Sequence, residues 1–254
     1  MNPAHPGTAR GRVDRAYLDM PLAPGMRITL PDAPAQHLLR VLRLREGDPC
    51  VLFNGDGHDY EARITAAGKR GGEVEILGAN PVDNESPLRI TLVQGIARGE
   101  KMDLILQKST ELGVIAFIPV SSQRSEVKLD AARAEKRLAH WRTVVASACE
   151  QSGRARVPGV APPVALEAAV ASLASGGPRL LLDPFADATV ATLAPPPGAA
   201  VTIAVGPEGG WSPRDRDTLH AAGFAGIRLG PRVLRTETAG LAAVAALQAR
   251  FGDL

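Results

Sequence analysis

Apolar and polar positions change rhythm once along the 254 residues of this chain. In the first third, apolar residues come in short runs or alternate with polar ones between clusters of turn formers. Residues 49–65, PCVLFNGDGHDYEARIT, set two such runs about an Asn/Gly/Asp cluster, the pattern of a β-hairpin. GGEVEIL at 71–77 predicts another strand, and APAQHLLRVLRLREGD at 33–48 predicts a short helix that runs into a turn at Glu46 to Asp48. Several strands and one helix predict a small β-barrel over residues 1–77. GANPVDNESP, residues 78–87, then breaks every periodicity with loop formers, so a linker is expected there.

From 88 to 254 the texture becomes strand and helix in alternation. LRITLVQGI, EKMDLILQKSTELG, VIAFIPVSS and DAARAEKRLAHWRTVVASACEQS lead into PRLLLDPF, AAVTIAVGPEGG, SPRDRDTLHAAG, AGIRLGPRVLR and TETAGLAAVAALQARF. Near-continuous apolar strands separated by helices predict an α/β fold whose parallel sheet is covered on both faces. Trp141, in the long helix, is expected in the core. Lys101 and Lys108 flank a helix whose apolar residues face the sheet, and no chemistry is assigned to them. APPPGAA at 194–200 reads as a stiff spacer.

Composition narrows the partners. With 29 basic and 27 acidic residues the formal charge is +2, so any nucleic-acid contact must come from local patches. The basic residues are mostly arginine, which fits bidentate contacts to phosphate or carboxylate and equally fits a compositional bias shared with Ala, Gly and Pro. Two distant cysteines, Cys50 and Cys149, with no CxxC or Cys/His cluster, predict neither a disulfide framework nor a metal site. Without a leader-like or membrane-spanning apolar run, a reducing cytoplasm is the expected setting.

Three consecutive strands of the second part end in unusual loops: LLLDPF, IAVGPEGG and IRLGPRVLRTETAG. Ligands of open α/β sheets bind beyond the carboxyl ends of the strands, so the three loops point to one pocket. SPRD at 212–215 has the form of a capping box, which makes Gly206 to Trp211 a bridge from strand to helix. The glycines alone would be satisfied by a tight turn, but the pattern repeats on three strands. It is neither GxGxxG nor a Walker loop, and Glu208 within it opposes a pyrophosphate. A ligand with hydroxyls, an adenine edge or positive charge suits it better, and S-adenosylmethionine has all three.

These residues carry a resemblance. GPEGGWSPRD, LGPRVLRTETA and the closing ALQARFGDL, with EKMDLILQKSTELGV, SSQRSEVKLD and EQSGR upstream, closely resemble the RsmE family of ribosomal RNA uridine methyltransferases. HLLRVLRLREGD and GRVDRAYL extend the resemblance over nearly the whole chain, leaving an N-terminal extension of about ten residues as the main departure. The resemblance implies a PUA-like β-barrel followed by a SPOUT-type parallel sheet with a C-terminal trefoil knot, which periodicity alone would not have predicted. It further implies a cytoplasmic homodimer that uses S-adenosylmethionine to methylate ring nitrogen 3 of a uridine in 16S ribosomal RNA, with no membrane partner. A ribosome-binding or assembly factor without catalysis is the alternative, and the intact glycine loops oppose it. A dinucleotide-dependent oxidoreductase is a third reading, which Glu208 and the missing fingerprint oppose.

On this resemblance Gly206, Pro207, Glu208, Gly209 and Gly210 bind the cofactor, mainly through backbone groups. Leu229, Gly230, Arg232, Val233, Leu234 and Thr236 complete its binding loop, and Leu182 and Asp183 close the wall. Methylation of the ring nitrogen requires loss of its imide proton. Arg235 would stabilise charge on the uracil oxygens, and Glu237 would act as base or orient Arg235. RTET also reads as a helix start with Thr236 as cap, so the base stays unassigned. For RNA, Arg40 and Arg43 would share a helical face with His37 one turn before, joined by Arg12 and Arg15; a solvated basic face paired with Glu46 or Asp48 is the other reading. Arg124, Gln151, Ser152 and Arg154 would meet the target nucleotide, although EQSGR also reads as a helix end capped at Gly153.

Overall fold

A computed structural model of the chain describes residues 13–68, 71–125, 130–173 and 176–254. Arg12 and the N-terminal extension lie outside them. The chain forms two compact units that divide between Asp83 and Asn84, with Gly153–Arg156 grouped with the first.

In the first unit, β1 (Arg15–Tyr17), β2 (Arg27–Thr29), β3 (Pro49–Phe53), β4 (His58–Gly68) and β5 (Gly71–Pro81) form a sheet in the order β1-β3-β4-β5-β2. The hairpin expected over 49–65 is the antiparallel β3–β4 pair. The stretch expected as a linker begins inside β5 instead: Gly78, Ala79, Asn80 and Pro81 pair with Glu61, Tyr60, Asp59 and His58. Beyond Ile76, β2 no longer flanks β5, and a one-sided strand end tolerates Gly, Asn and Pro. Leu38, Leu52, Ile64, Val74 and Ile76 fill the core of this unit.

The helix expected from residue 33 spans Asp32–Ala35 (α1) and continues as a π-helical turn over Gln36–Val41, with the Leu42 N–H donating to the His37 carbonyl at 3.0 Å. It stops before Arg43, whose φ of +61° is left-handed. Arg40 and Arg43 therefore do not share a helical face: the wider turn changes the angular step, and Arg43 lies beyond the helix.

The second unit is an all-parallel sheet in the order β12-β10-β11-β6-β7-β8, with β9 also paired to β7. Its strands are β6 (Arg89–Gly95), β7 (Val114–Ser121), β8 (Gly159–Val160), β9 (Val164–Ala165), β10 (Arg179–Leu182), β11 (Ala200–Val205) and β12 (Phe224–Ile227). Helices α2 (Glu100–Glu111), α3 (Ala131–Ser152), α4 (Leu166–Ser172), α5 (Pro213–Ala221) and α6 (Thr236–Phe251) connect or follow them. The alternation of the strands explains the two-sided cover. Leu92, Leu180 and Ile203 enter one core with Met102, Trp141 and Val244, while their neighbours Val93, Leu181 and Ala204 enter another with Leu166, Trp211 and Leu219.

Cys50 and Cys149 are free and buried. Burial, reinforced by the charge of Asp14, pushes the Cys50 thiol up to about 12, which leaves it protonated and unreactive. No described helix is long and apolar enough to cross a membrane.

A buried polar knot anchors α6. Gln248, fully buried, accepts from the Ser86 hydroxyl at 2.7 Å and donates to the Leu112 carbonyl at 3.0 Å. Gly113, at φ +86°, makes room for it, since a Cβ there would lie 2.7 Å from the Gln248 Nε2. Gly113→Ala is expected to lower the unfolding free energy by about 2–3 kcal/mol, roughly 1 from backbone strain and the rest from the displaced amide. Gly223→Ala, at φ +83° with open space around it, should cost only the backbone part. Equal losses in urea denaturation would show that Gln248 does not need its seat.

Candidate active site

The carboxyl ends of β10, β11 and β12 are neighbours in the sheet, so the three loops singled out in the sequence do converge. They enclose a pocket of about 610 Å³ lined by residues 182–184, 205–211, 227–230, 232–237 and 239, with Lys101, Arg124 and Arg216. Its walls are tied by backbone bonds. The Asp183 N–H donates to the Ile227 carbonyl at 2.9 Å, and the Arg228 N–H to the Ala188 carbonyl at 2.9 Å, which joins the loops after β10 and β12.

The loop after β11 is seated by its neighbours. Gly95, the last residue of β6, lies so close that a Cβ there would be 2.5 Å from Pro207 Cδ. The capping box predicted from SPRD is present: Ser212 Oγ accepts from the Asp215 N–H at 3.1 Å and Asp215 Oδ2 from the Ser212 N–H at 2.9 Å. Ser212 Oγ also donates to Gln123 Oε1 at 2.8 Å, and Arg124 Nη1 donates to the Gly209 carbonyl at 3.1 Å. The segment after β7 thereby braces the glycine loop.

Every cofactor residue expected from the sequence lines this pocket, as do Arg235 and Glu237. Two expectations about their roles change. Glu208 is not an open carboxylate: it accepts from the Arg98 N–H at 3.0 Å and pairs with Lys101 at 3.4 Å. Burial pushes its carboxyl up, but the Arg98 N–H and the Lys101 ammonium outweigh that and hold it below the ordinary carboxylate value. Thr236 does not cap its helix. Arg235 occupies the N-cap position, and the Thr236 hydroxyl donates to the Gly206 carbonyl. Glu237 is half-buried, and its Oε2 is buried with no hydrogen-bond partner among the described residues.

Lys101, to which the sequence assigns no chemistry, also lines the pocket, as do Arg216 and Arg228, which were not expected there. Arg216 Nη1 donates to Asp183 Oδ2 at 3.0 Å, which fixes a carboxylate on the pocket wall. These residues sit on α2, α5 and just past β12; Arg228 belongs to the IRLGPRVLRTETAG loop, whereas Lys101 and Arg216 come from helices outside the three loops. With them the lining carries six basic side chains, Lys101, Arg124, Arg216, Arg228, Arg232 and Arg235, against three acidic ones, Asp183, Glu208 and Glu237. The described residues hold no cluster of three His, Cys, Asp or Glu side chains suited to a metal ion.

The expected RNA-binding residues divide differently. Arg15 is turned into the first unit: it pairs with Asp59 at 2.9 Å and donates to the Gly153 and Arg154 carbonyls at 2.9 and 3.1 Å. Arg154 is 4% exposed. Neither guanidinium is presented to a phosphate, because each is held inside the fold. Arg40, Arg43 and Gln151 are exposed, and His37 and Ser152 are half-buried, with the Ser152 hydroxyl donating to the Ala148 carbonyl at 2.7 Å.

Two family models match the chain: an RNA methyltransferase domain over residues 84–248 and an RNA methyltransferase PUA domain over residues 30–77. The ribosomal RNA small subunit methyltransferase E of Buchnera aphidicola is 33% identical over 243 residues, which covers 96% of this chain and 98% of that one. A crystal structure of ribosomal RNA small subunit methyltransferase E from Neisseria gonorrhoeae bound to S-adenosyl methionine is similar at a TM-score of 0.88 and 44% identity, covering 96% of this chain and 100% of that one. A Legionella pneumophila structure in complex with the bound cofactor SAM is similar at 0.90 and 38%, with the same coverage.

Gly95→Ala should push Pro207 and the glycine loop outward. The expected outcome is a loss of about 1–3 kcal/mol in stability, as for other overpacked sites, together with a shift in Trp211 fluorescence measured in a Trp141→Phe background. An unchanged spectrum and stability would mean that the close approach does not set the loop.

Proposed function

The chain belongs to the ribosomal RNA small subunit methyltransferase E family, and on that premise we propose that it methylates ring nitrogen 3 of a uridine in 16S ribosomal RNA. It is an S-adenosylmethionine-dependent ribosomal RNA methyltransferase. The uridine and the ring position are the finer part of the proposal.

The observation that carries the reading is the pocket of about 610 Å³ built from three strand-end loops. Its size suits a nucleoside ligand, and Gly206, Gly209 and Gly210 let backbone groups come close to it. S-adenosylmethionine supplies a methyl group activated by a sulfonium. The loop 206–210 and the stretch from Leu229 to Thr236 hold it, with Leu182 and Asp183 on the wall. Arg216 keeps the Asp183 carboxylate in place as a hydrogen-bond acceptor. Lys101 balances Glu208, so that the loop presents backbone polarity rather than an unpaired charge.

Loss of the uridine imide proton puts negative charge on the uracil oxygens. Arg235 stands at the N-terminus of α6, where its guanidinium and the helix dipole both favour such charge. Glu237, the second residue of the same helix, has a carboxylate oxygen with no hydrogen-bond partner among the described residues and would act as base or orient Arg235. The excess of basic side chains around the pocket favours the RNA phosphates, with Arg124 at the glycine loop. Gln151 and Ser152 would add to this contact; in the first unit, where His37, Arg40 and Arg43 would bind RNA, residues 30–77 match an RNA methyltransferase PUA domain, which supports reading it as an RNA-binding module of PUA-like barrel form.

The reading extends to a trefoil knot through the C-terminal loops, to a homodimer and to action in the cytoplasm. The adjacency of β12, β10 and β11, out of chain order, supports the knot.

The test incubates the protein with labelled S-adenosylmethionine and small ribosomal subunits lacking the modification, then identifies the product nucleoside by mass spectrometry. N3-methyluridine is expected. A different methylated nucleoside would overturn the substrate, and cofactor binding without transfer would favour a non-catalytic ribosome-binding role. Arg235→Ala should lower kcat by about 10²-fold while changing cofactor affinity much less, which a single-turnover assay beside a binding isotherm resolves.

A further inference from the structure

Gln94 lies outside the pocket lining, is 0% exposed, and sits in β6 among apolar residues, opposite Val205 and Pro119 in the sheet register. A carboxamide in such a place is costly unless it is hydrogen-bonded. Its Nε2 donates to the Gly95 carbonyl at 2.8 Å and to Thr236 Oγ1 at 3.2 Å. The single hydroxyl proton of Thr236 goes to the Gly206 carbonyl, so its oxygen is an acceptor toward Gln94. This fixes which way the amide points, because the flipped amide would set Oε1 against the Gly95 carbonyl. Gln94 Oε1 is buried with no partner among the described residues. A residue chosen for core packing alone would carry neither that oxygen nor those donors.

We infer that Gln94 is a positioning residue for the S-adenosylmethionine pocket, acting through the Thr236 hydroxyl on the Gly206 carbonyl. The chain of bonds joins the first residue of α6 to the first residue after β11, and so sets the gap between two of the three loops that line the pocket. Its register opposite Val205, the last residue of β11, is what brings it within reach.

The inference rests on the reading of this pocket as the cofactor site, and the test keeps the two apart. Calorimetric Kd for S-adenosylmethionine, with KM and kcat, is measured for the full chain and for Gln94→Leu, Thr236→Val, Thr236→Ser and the Gln94→Leu/Thr236→Val pair. Gln94→Leu and Thr236→Val should each weaken cofactor binding roughly three- to tenfold, with KM rising more than kcat falls. Thr236→Ser, which keeps the hydroxyl, should lose less than about twofold, and the double variant should bind no worse than the weaker single one, because both break one chain.

A folded Gln94→Leu that binds like the unsubstituted protein would overturn the inference, as would a double variant whose loss is the product of the two, or Thr236→Ser as weak as Thr236→Val. If Gln94→Leu does not fold, Gln94→Met and the valine/serine contrast at Thr236 decide it by the same criteria. An unsubstituted protein that binds no S-adenosylmethionine sinks the pocket reading and this inference with it, whereas normal binding with insensitive variants sinks the inference alone.

Discussion

At the end of β6, Gly95 lies against the Pro207 ring and Gln94 reaches the Thr236 hydroxyl that holds the Gly206 carbonyl. The rest of the pocket depends on this close approach. A backbone-lined site works only if its loops stay where bound ligand groups need them, and a glycine-rich loop has little intrinsic preference for any one shape. Its order is imposed from outside: by β6 beneath it, by Gln123 and Arg124 beside it, and by the Ser212–Asp215 capping box at its end. The loops after β10 and β12 are joined in the same way by Asp183–Ile227 and Arg228–Ala188 backbone bonds. Preorganisation of this kind removes an ordering cost from ligand binding.

The same arrangement settles the electrostatics. The glycine loop itself carries one carboxylate and no cation, yet the pocket as a whole is basic because α2, α5, the segment after β7 and the loop after β12 each bring cations to it. Lys101 and the Arg98 N–H take up the charge of Glu208, and Arg216 takes up that of Asp183. What remains includes Arg235, at the N-cap of α6, and a buried Glu237 oxygen with no hydrogen-bond partner among the described residues. Polar groups left unbalanced in a pocket gain most from a ligand that completes them.

Much of the fold was legible because the patterns are local. Two-sided apolar strands, the SPRD capping box and the three strand-end loops each follow from residues close together in the chain, and each was found where expected. The misses also have physical reasons. The expected linker, 78–87, does hold the division between Asp83 and Asn84, but its first residues, Gly78 to Pro81, belong to β5, because a strand end paired on one side tolerates turn formers. The shared face of Arg40 and Arg43 was lost to a π-helical turn that no side-chain pattern announces.

What the chain determined by itself was its division into two textures, its α/β class and the loops that carry chemistry, since periodicity, capping and glycine placement act over a few residues. Only the tertiary structure decided that Arg15 and Arg154 face inward, that Lys101 and Arg216 belong to the pocket, and that Gln94 is tied to Thr236. Gln94 and Thr236 are separated by 142 positions in the chain and meet because the parallel sheet sets β6 beside β11 and α6 packs against β11. Contacts of that span depend on strand order and register, which are properties of the assembled sheet and not of any stretch of its sequence.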